Sequence, residues 1–204
     1  MADPDIRLYG VPVSGHTHRV ELLLLMLGLP YRFILAPADV RCTNDFRRLN
    51  PLGQVPVLVD GNLVLADSNA ILVYLARKYA AENPWLPEEP EPAASVQRWL
   101  SVAAGEVKYG PATARGIAVL GWKGERAQAI AIADRLLAFM ETHLRGRTYL
   151  AAEHPTIGDL ACYSYVAHAP EGGISLGPYP AVQTWLRRVE GLPRFKPMPA
   201  SLPS

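Results

Sequence analysis

Apolar and polar positions follow two rhythms in the first part of the chain and only one afterwards. Ile6-Arg7-Leu8-Tyr9 alternates at period two, and Tyr31–Leu35 is rich in β-formers. Pro56–Val59 and Asn62–Leu65 flank Asp60-Gly61, a strong signal for a tight hairpin. These predict four strands. Between the first two, Val20, Leu23, Leu24 and Leu27 recur at helical spacing until Gly28 and Pro30 end the run. After the hairpin, Ile71, Leu72, Leu75 and Tyr79 form a second helical stripe. The predicted order is βαβ, an irregular or helical stretch, then ββα.

Beyond Tyr79 the composition shifts to Glu and Pro over 82–95, which suits an exposed connector. No strand pattern follows it. Residues 93–109 and 124–145 carry Ala, Leu and Ile at helical spacing. Thr156-Ile-Gly-Asp159 has the form of a helix-starting capping box with Asp in place of Glu, Pro180–Val189 reads as a last amphipathic helix, and the tail from Pro193 is expected to be extended. The chain therefore divides into an α/β domain over 1–82, a linker over 83–92 and an all-α domain over 93–204.

Composition narrows the function. At 204 residues, 50% hydrophobic and 19% charged, with a formal net charge of +1, the chain can bury a real core and has no electrostatic grip on phosphate backbones. No nucleic-acid partner is expected. The start, MADPDIRLYG, lacks the basic and then apolar pattern of a signal peptide, and the apolar run Leu22–Leu27 is too short to span a bilayer, so no membrane partner and a cytoplasmic location are expected. Cys42 and Cys162 lie far apart without CxxC or ligand spacing, which predicts neither a disulfide nor a metal site.

Three spots in the first domain could carry chemistry. Ser14 stands between the first strand and the first helix, where it either caps the helix or faces the cleft at the carboxyl edge of the sheet. Val55-Pro56 opens the third strand, with a trans bond as the ordinary reading; a cis bond would turn the Val55 backbone out toward a peptide ligand. Asp67 and Ser68 stand where a strand ends and a helix begins. They suit plain capping, or a helix terminus at which Ser68 holds a carboxylate and Asp67 an ammonium, the two charges of an amino-acid head group.

Taken in order, "VPVSGHTHRV", "NPLGQVPVL", "LADSNAILVYLA" and "TIGDLACYSY" resemble the cytosolic glutathione S-transferase superfamily, in a version with a serine-type first loop. The resemblance covers nearly the whole chain. It implies a thioredoxin-like N-terminal domain (βαβαββα), an all-helical C-terminal domain and a homodimer, with glutathione as co-substrate and no bound cofactor. It implies a cis Pro56, a Val55 backbone that pairs with the cysteinyl part of glutathione, and an Asp67-Ser68 pair that holds the γ-glutamyl end. Gln54 and Arg41 match positions that contact the tripeptide, and Thr156 and Asp159 match a folding motif. Ser14, five residues before Arg19, matches the hydroxyl that activates the thiol, with His16 and Thr17 as rivals in the same loop and Tyr9 as a further one.

A cysteine thiol has a reference pKa of about 8.5, so lowering it by about two units needs roughly 2.7 kcal/mol in favour of the anion. A charged hydrogen bond of about 1.5–3 kcal/mol and a helix N-terminus of up to about 2 can supply it. The resulting thiolate would attack a small, apolar electrophile in a second pocket, for which Tyr109, Arg115 and Trp122 are the expected wall. His18, His143, His154 and His168 show no partner in the sequence and are expected to be surface or capping histidines. Conjugation of glutathione leads. Glutathione-dependent peroxide or disulfide chemistry and a noncatalytic glutathione-binding relative are the alternatives on the same fold.

Overall fold

The computed structural model describes residues 5–80 and 85–201. Strands β1 (Ile6–Gly10), β2 (Tyr31–Leu35), β3 (Val57–Asp60) and β4 (Leu63–Ala66) form one sheet in the order β2-β1-β3-β4. β1 and β2 are parallel across helix α1 (Gly15–Met26), and β3 is antiparallel to both of its neighbours. Two short helices, α2 (Ala38–Arg41) and α3 (Asn44–Leu49), fill the irregular stretch, and α4 (Ser68–Tyr79) follows the hairpin. The element order is the one the alternating patterns predict, and the domain is the thioredoxin-like one that the resemblance implies.

The alternation in β1 sorts the two faces of the sheet. Ile6 and Leu8 are buried in one cluster with Val20 and Leu23 of α1 and Ile71 and Leu72 of α4. Tyr9 belongs to the second, smaller cluster, where its ring meets Phe46 of α3 edge-on at 6.3 Å between centroids. Tyr9 is thus a packing residue of the face away from α1.

The second half is helical: α5 (Pro90–Val102), a π-helical segment (Ala103–Ala112), α6 (Thr113–Leu120), α7 (Arg126–Leu144), α8 (Ile157–Ala167), a 3₁₀ turn (Ala169–Gly172) and α9 (Pro180–Glu190). Two expectations need correction here. The helix expected to stop at residue 109 continues to Leu120, because Gly110 and Pro111 are both accommodated. The wide π geometry makes room for the proline ring, and the Thr113 Oγ1 hydroxyl donates to the Lys108 carbonyl at 2.8 Å. At Gly110 a Cβ would stand 2.9 Å from the backbone of Ala133, so glycine there permits close approach of α7. The linker expected over 83–92 is also less exposed than its composition suggests. Residues 83 and 84 lie outside the described residues; Trp85 is buried with its carbonyl accepting from Ile157 N at 2.9 Å, and α5 begins at Pro90, where a proline fits the first helical turn.

One apolar cluster runs through both domains, from Ile6 and Leu23 to Trp99, Leu160 and Trp185. Helix α1 lies in the middle of it, covered by the sheet on one side and by α8 on the other, which buries every position from Gly15 to Leu24 except His16. Its polar residues must therefore find partners across the domain boundary.

Candidate active site

Ser14 is the N-cap of α1: its backbone is extended, and its Oγ accepts from the Thr17 amide at 3.3 Å. That bond uses a lone pair and leaves the hydroxyl proton free to donate. Capping and thiol activation are therefore compatible in one side chain. The Ser14 amide in turn donates to the Val11 carbonyl at 3.1 Å, closing the loop into a tight bend.

The two rivals in the loop are placed differently. Thr17 is buried with its side chain against Gly10, where a Cβ would fall within 2.2 Å of Thr17 Cγ2, so its hydroxyl is turned into the fold and away from a ligand. His16 sits in the site. Its Nδ1 is 3.3 Å from Ser68 Oγ, and its ring meets that of Tyr165 of α8 edge-on at 5.1 Å. Burial, then the charges of Arg19 and Lys108, lower its pKa to about 3. At neutral pH it is an uncharged imidazole, far too weak a base to hold a proton taken from a thiol.

Arg19 lies fully buried beneath this contact. Its Nη1 donates to Ser68 Oγ at 3.3 Å and to Asn69 Oδ1 at 3.0 Å, while Nε and Nη2 have no partner among the described residues. Because a guanidinium can only donate, Ser68 accepts from Arg19 and keeps its own proton for His16 or for a ligand. The first turn of α4 thus presents a hydroxyl backed by an unneutralised cation.

Asp67 caps α4 by accepting from Asn69 N and Ala70 N, both at 2.9 Å, and does so with φ at 74°. A left-handed conformation at a residue other than glycine is strained, and such strain gathers at ligand-binding positions. Asp67 Oδ1 makes both capping bonds, so Oδ2 stays available on an exposed side chain.

The Val55-Pro56 bond is cis, as the resemblance implies. Pro56 is buried, β3 begins one residue later, and neither the N–H nor the C=O of Val55 has a hydrogen-bond partner among the described residues. Asn50, itself buried, shapes the loop before it: its amide donates to Gln54 O at 2.9 Å and its Oδ1 accepts from Leu52 N at 3.1 Å. Gln54 is exposed beside it, and the Arg41 carbonyl lies 3.3 Å from where a Cβ at Gly53 would be, which brings the end of α2 to the same loop.

The expected second pocket is only partly assembled. Tyr109 and Trp122 are exposed, at 56% and 50%, on the helical domain. Arg115 corrects the sequence reading: it is 2% exposed and bound through three of its nitrogens to Glu171, Val13 and Ser201, so it cannot line a surface pocket. His18 is a second correction. It is buried, with Nδ1 at 2.8 Å from Ser164 Oγ and Nε2 at 2.7 Å from the Lys196 carbonyl, because α8 and the C-terminal tail close over α1. His143 packs on Trp99 and bonds the Leu150 carbonyl, and His168 bonds Glu171. Asp159 is a folding residue, its carboxylate accepting from Leu150 N, Trp185 Nε1 and the Thr156 amide and hydroxyl.

Residues that sequence reasoning passed over are Asn69, Lys108 and Tyr165. Asn69 bridges Arg19 to the Leu100 carbonyl of α5, and Tyr165 closes over Gly15, where a Cβ would lie 2.8 Å from its ring. Their signal was adjacency: each stands within or beside a motif already marked.

Among the described residues, no helix is long and apolar enough to cross a membrane, and no group of three His, Cys, Asp or Glu side chains could hold a metal ion.

Comparison with known proteins agrees with this geometry. Residues 8–85 match the family described as "Glutathione S-transferase, N-terminal domain", and residues 123–193 match "Glutathione S-transferase, C-terminal domain". Glutathione S-transferase 3 of Zea mays is 32% identical, over 97% of this chain and 95% of its own length. The crystal structure of a glutathione S-transferase from Pseudomonas fluorescens superposes with a TM-score of 0.89 at 33% identity, covering 95% of this chain and 98% of that one. A glutathione transferase homologue from Drosophila mojavensis, solved with bound glutathione, gives a TM-score of 0.82 at 28% identity over 93% of this chain and 89% of its own. Two helix N-termini, each bearing a serine, meet beside an unpaired strand-edge backbone on a thioredoxin-like domain, and with these matches over both halves the chain belongs to the glutathione S-transferase superfamily.

Proposed function

We propose that this glutathione transferase conjugates the glutathione thiolate to small, mostly apolar electrophiles, with Ser14 as the residue that stabilises the thiolate. The observation that carries the reading is the His16–Ser68 contact at 3.3 Å, which ties the N-terminus of α1 to that of α4 and so joins two anion-favouring ends in one cleft. Ser68, with Arg19 behind it, would take the γ-glutamyl carboxylate, and the free Asp67 oxygen its ammonium. The unpaired Val55 backbone would pair with the cysteinyl residue, held out by Pro56, and Gln54 and Arg41 would contact the rest of the tripeptide. The thiol would then stand over the first turn of α1.

Ser14 is favoured over its rivals on chemistry. The anion needs a donor, and Ser14 has a free hydroxyl proton at a helix N-terminus; Thr17 is buried, and His16 is neutral with one ring nitrogen engaged by Ser68. The acceptor would bind between the first loop and the π-helical segment, near Lys108 and Tyr109. Proposed partners are glutathione, the electrophile and a second copy of the chain, for which the edge strand β4 offers the exposed apolar side chains of Leu63 and Val64. A cytoplasmic location fits this chemistry.

The test is the pKa of bound glutathione, read by ultraviolet thiolate absorbance. Ser14→Ala should raise it by about 1–2 units and lower neutral-pH turnover with a chloronitroaromatic by about tenfold to a hundredfold, with recovery at alkaline pH. Ser14→Ala with an unchanged profile, beside a shifted one for His16→Ala, would transfer the role to His16. Rapid turnover of a hydroperoxide or a mixed disulfide with no detectable conjugation would replace the reaction.

A further inference from the structure

Arg115 comes from α6, deep in the helical domain, yet one of its three bonds leaves that domain. Nη1 donates to the Val13 carbonyl at 2.9 Å, directly before Ser14. Nε donates to Glu171 Oε2 at 2.7 Å and Nη2 to Ser201 Oγ at 2.6 Å. Glu171 is held in turn by His168 Nδ1 at 2.6 Å and the Ser201 amide at 3.4 Å. Burial would raise the Glu171 carboxyl, but the bonds from His168 and Arg115 outweigh it and keep the group below its usual range, so Arg115 faces a carboxylate. The 3₁₀ turn that carries Glu171 is seated on α6, since a Cβ at Gly172 would come 2.7 Å from Arg115 N.

We propose that Arg115 is a positioning residue for the reaction: anchored by Glu171 and the tail residue Ser201, it fixes the peptide plane between Val13 and Ser14 and thereby aims the Ser14 hydroxyl at the thiol. That plane is gripped at both ends. Its carbonyl is held by Arg115, and its N–H donates to Val11 O. Releasing the carbonyl frees rotation about the bonds flanking the plane, and the Ser14 side chain moves with it. A hydrogen bond aimed at a developing charge is sensitive to such small displacements. The inference rests on the assignment of Ser14 as activator.

The experiment measures two quantities in Arg115→Gln, Ser201→Ala, Ser14→Ala and the double variant Arg115→Gln/Ser14→Ala. Amide hydrogen exchange over residues 11–16 reads the anchoring, and the pKa of bound glutathione reads its consequence. In Arg115→Gln the loop should exchange about tenfold faster while peptides of α8 keep their wild-type rates, and the thiol pKa should rise by about 0.5–1 unit. Ser201→Ala, which leaves no buried charge unpaired and should fold normally, should shift both in the same direction by less. In the Ser14→Ala background Arg115→Gln should add nothing to the thiol pKa. Unchanged exchange in both Arg115→Gln and Ser201→Ala would overturn the anchoring. An equal pKa shift with and without Ser14 would overturn the route through Ser14, because Arg115 would then be acting by its charge alone. If Ser14→Ala by itself leaves the thiol pKa unmoved, the assignment of Ser14 falls and the catalytic half of the proposal with it, while exchange over the loop still decides the anchoring.

Discussion

His18 makes the stability of the domain interface depend on pH with a calculable size. It is buried between α1, α8 and the tail, and burial, which outweighs the bond to the Lys196 carbonyl and the charge of Glu21 and is joined by the charges of His168 and Lys196, lowers its pKa from 6.5 to about 4. A carbonyl only accepts, so Nε2 carries the proton and Nδ1 accepts from Ser164: the neutral ring satisfies both bonds. Below pH 6.5 the unfolded chain takes up a proton at this residue and the native chain does not, so stability falls as pH falls, through a window from 6.5 down to about 4. At about 1.4 kcal/mol per unit the gap amounts to about 3 kcal/mol over the whole window, of which about 2 is lost by pH 5. His16, lowered to about 3, adds loss of the same sign. The assay is urea unfolding at pH 7.5, 6.5, 5.5 and 5. His18→Gln should cost about 1–2 kcal/mol at pH 7.5, from one lost hydrogen bond and poorer packing against Tyr163 and Phe195, but its stability should fall less steeply with acid. The two curves should meet near pH 5. Curves that stay parallel from pH 7.5 to 5 would refute the reasoning, because a histidine already charged at neutral pH would contribute no slope.

Ser68→Ala should raise the Michaelis constant for glutathione more than it lowers turnover, since its hydroxyl would hold the head group equally in ground and transition states; initial rates at varied glutathione check this. Gly15→Ala should destabilise by about 1–3 kcal/mol and lower turnover, because the added methyl meets the ring of Tyr165 at 2.8 Å next to Ser14, and thermal unfolding together with conjugation rates reads both effects. Asp159→Ala should cost about 3 kcal/mol or more, as four donors lose one buried acceptor, and should act on folding yield and melting temperature before it alters the kinetics of the folded fraction.

Part of the site was legible because it rests on local grammar. Ser14, Thr156 and Asp67 are small polar residues at helix starts, and capping is decided within a few residues of the chain. Asp60-Gly61 set the hairpin in the same way, and period-two alternation separated Leu8 from Tyr9 before either had a neighbour. What was missed depended on residues far away in sequence. Arg115 was expected in the wall of the second pocket; its burial follows from Glu171, Val13 and Ser201, none of which lies on its own helix. The helical spacing was followed only to residue 109, and only the π geometry at Pro111 and the packing of α7 where a Cβ at Gly110 would stand show why the helix goes on.

Helix α1 shows where the division falls. Its apolar stripe of Val20, Leu23 and Leu24 was enough to predict a helix with one buried face, since the free energy of burying those side chains depends mainly on their own surface. Whether the opposite face, with His18, Arg19 and Glu21, meets water or protein is a matter of what the second domain covers. In the folded chain α8 and the tail cover it, so each polar group there required a distant partner: Ser164 and Lys196 for His18, Ser68 and Asn69 for Arg19, Tyr31 and Lys196 for Glu21. The sequence by itself determined the four strands, α1 and α4, their order and the serine at the head of α1, because propensity, capping and period are properties of neighbouring residues. The neutral state of His16, the unpaired charge of Arg19 beneath Ser68 and the grip of Arg115 on the first loop were decided by tertiary structure alone, because desolvation and pairing depend on which surfaces the packed domains bring together.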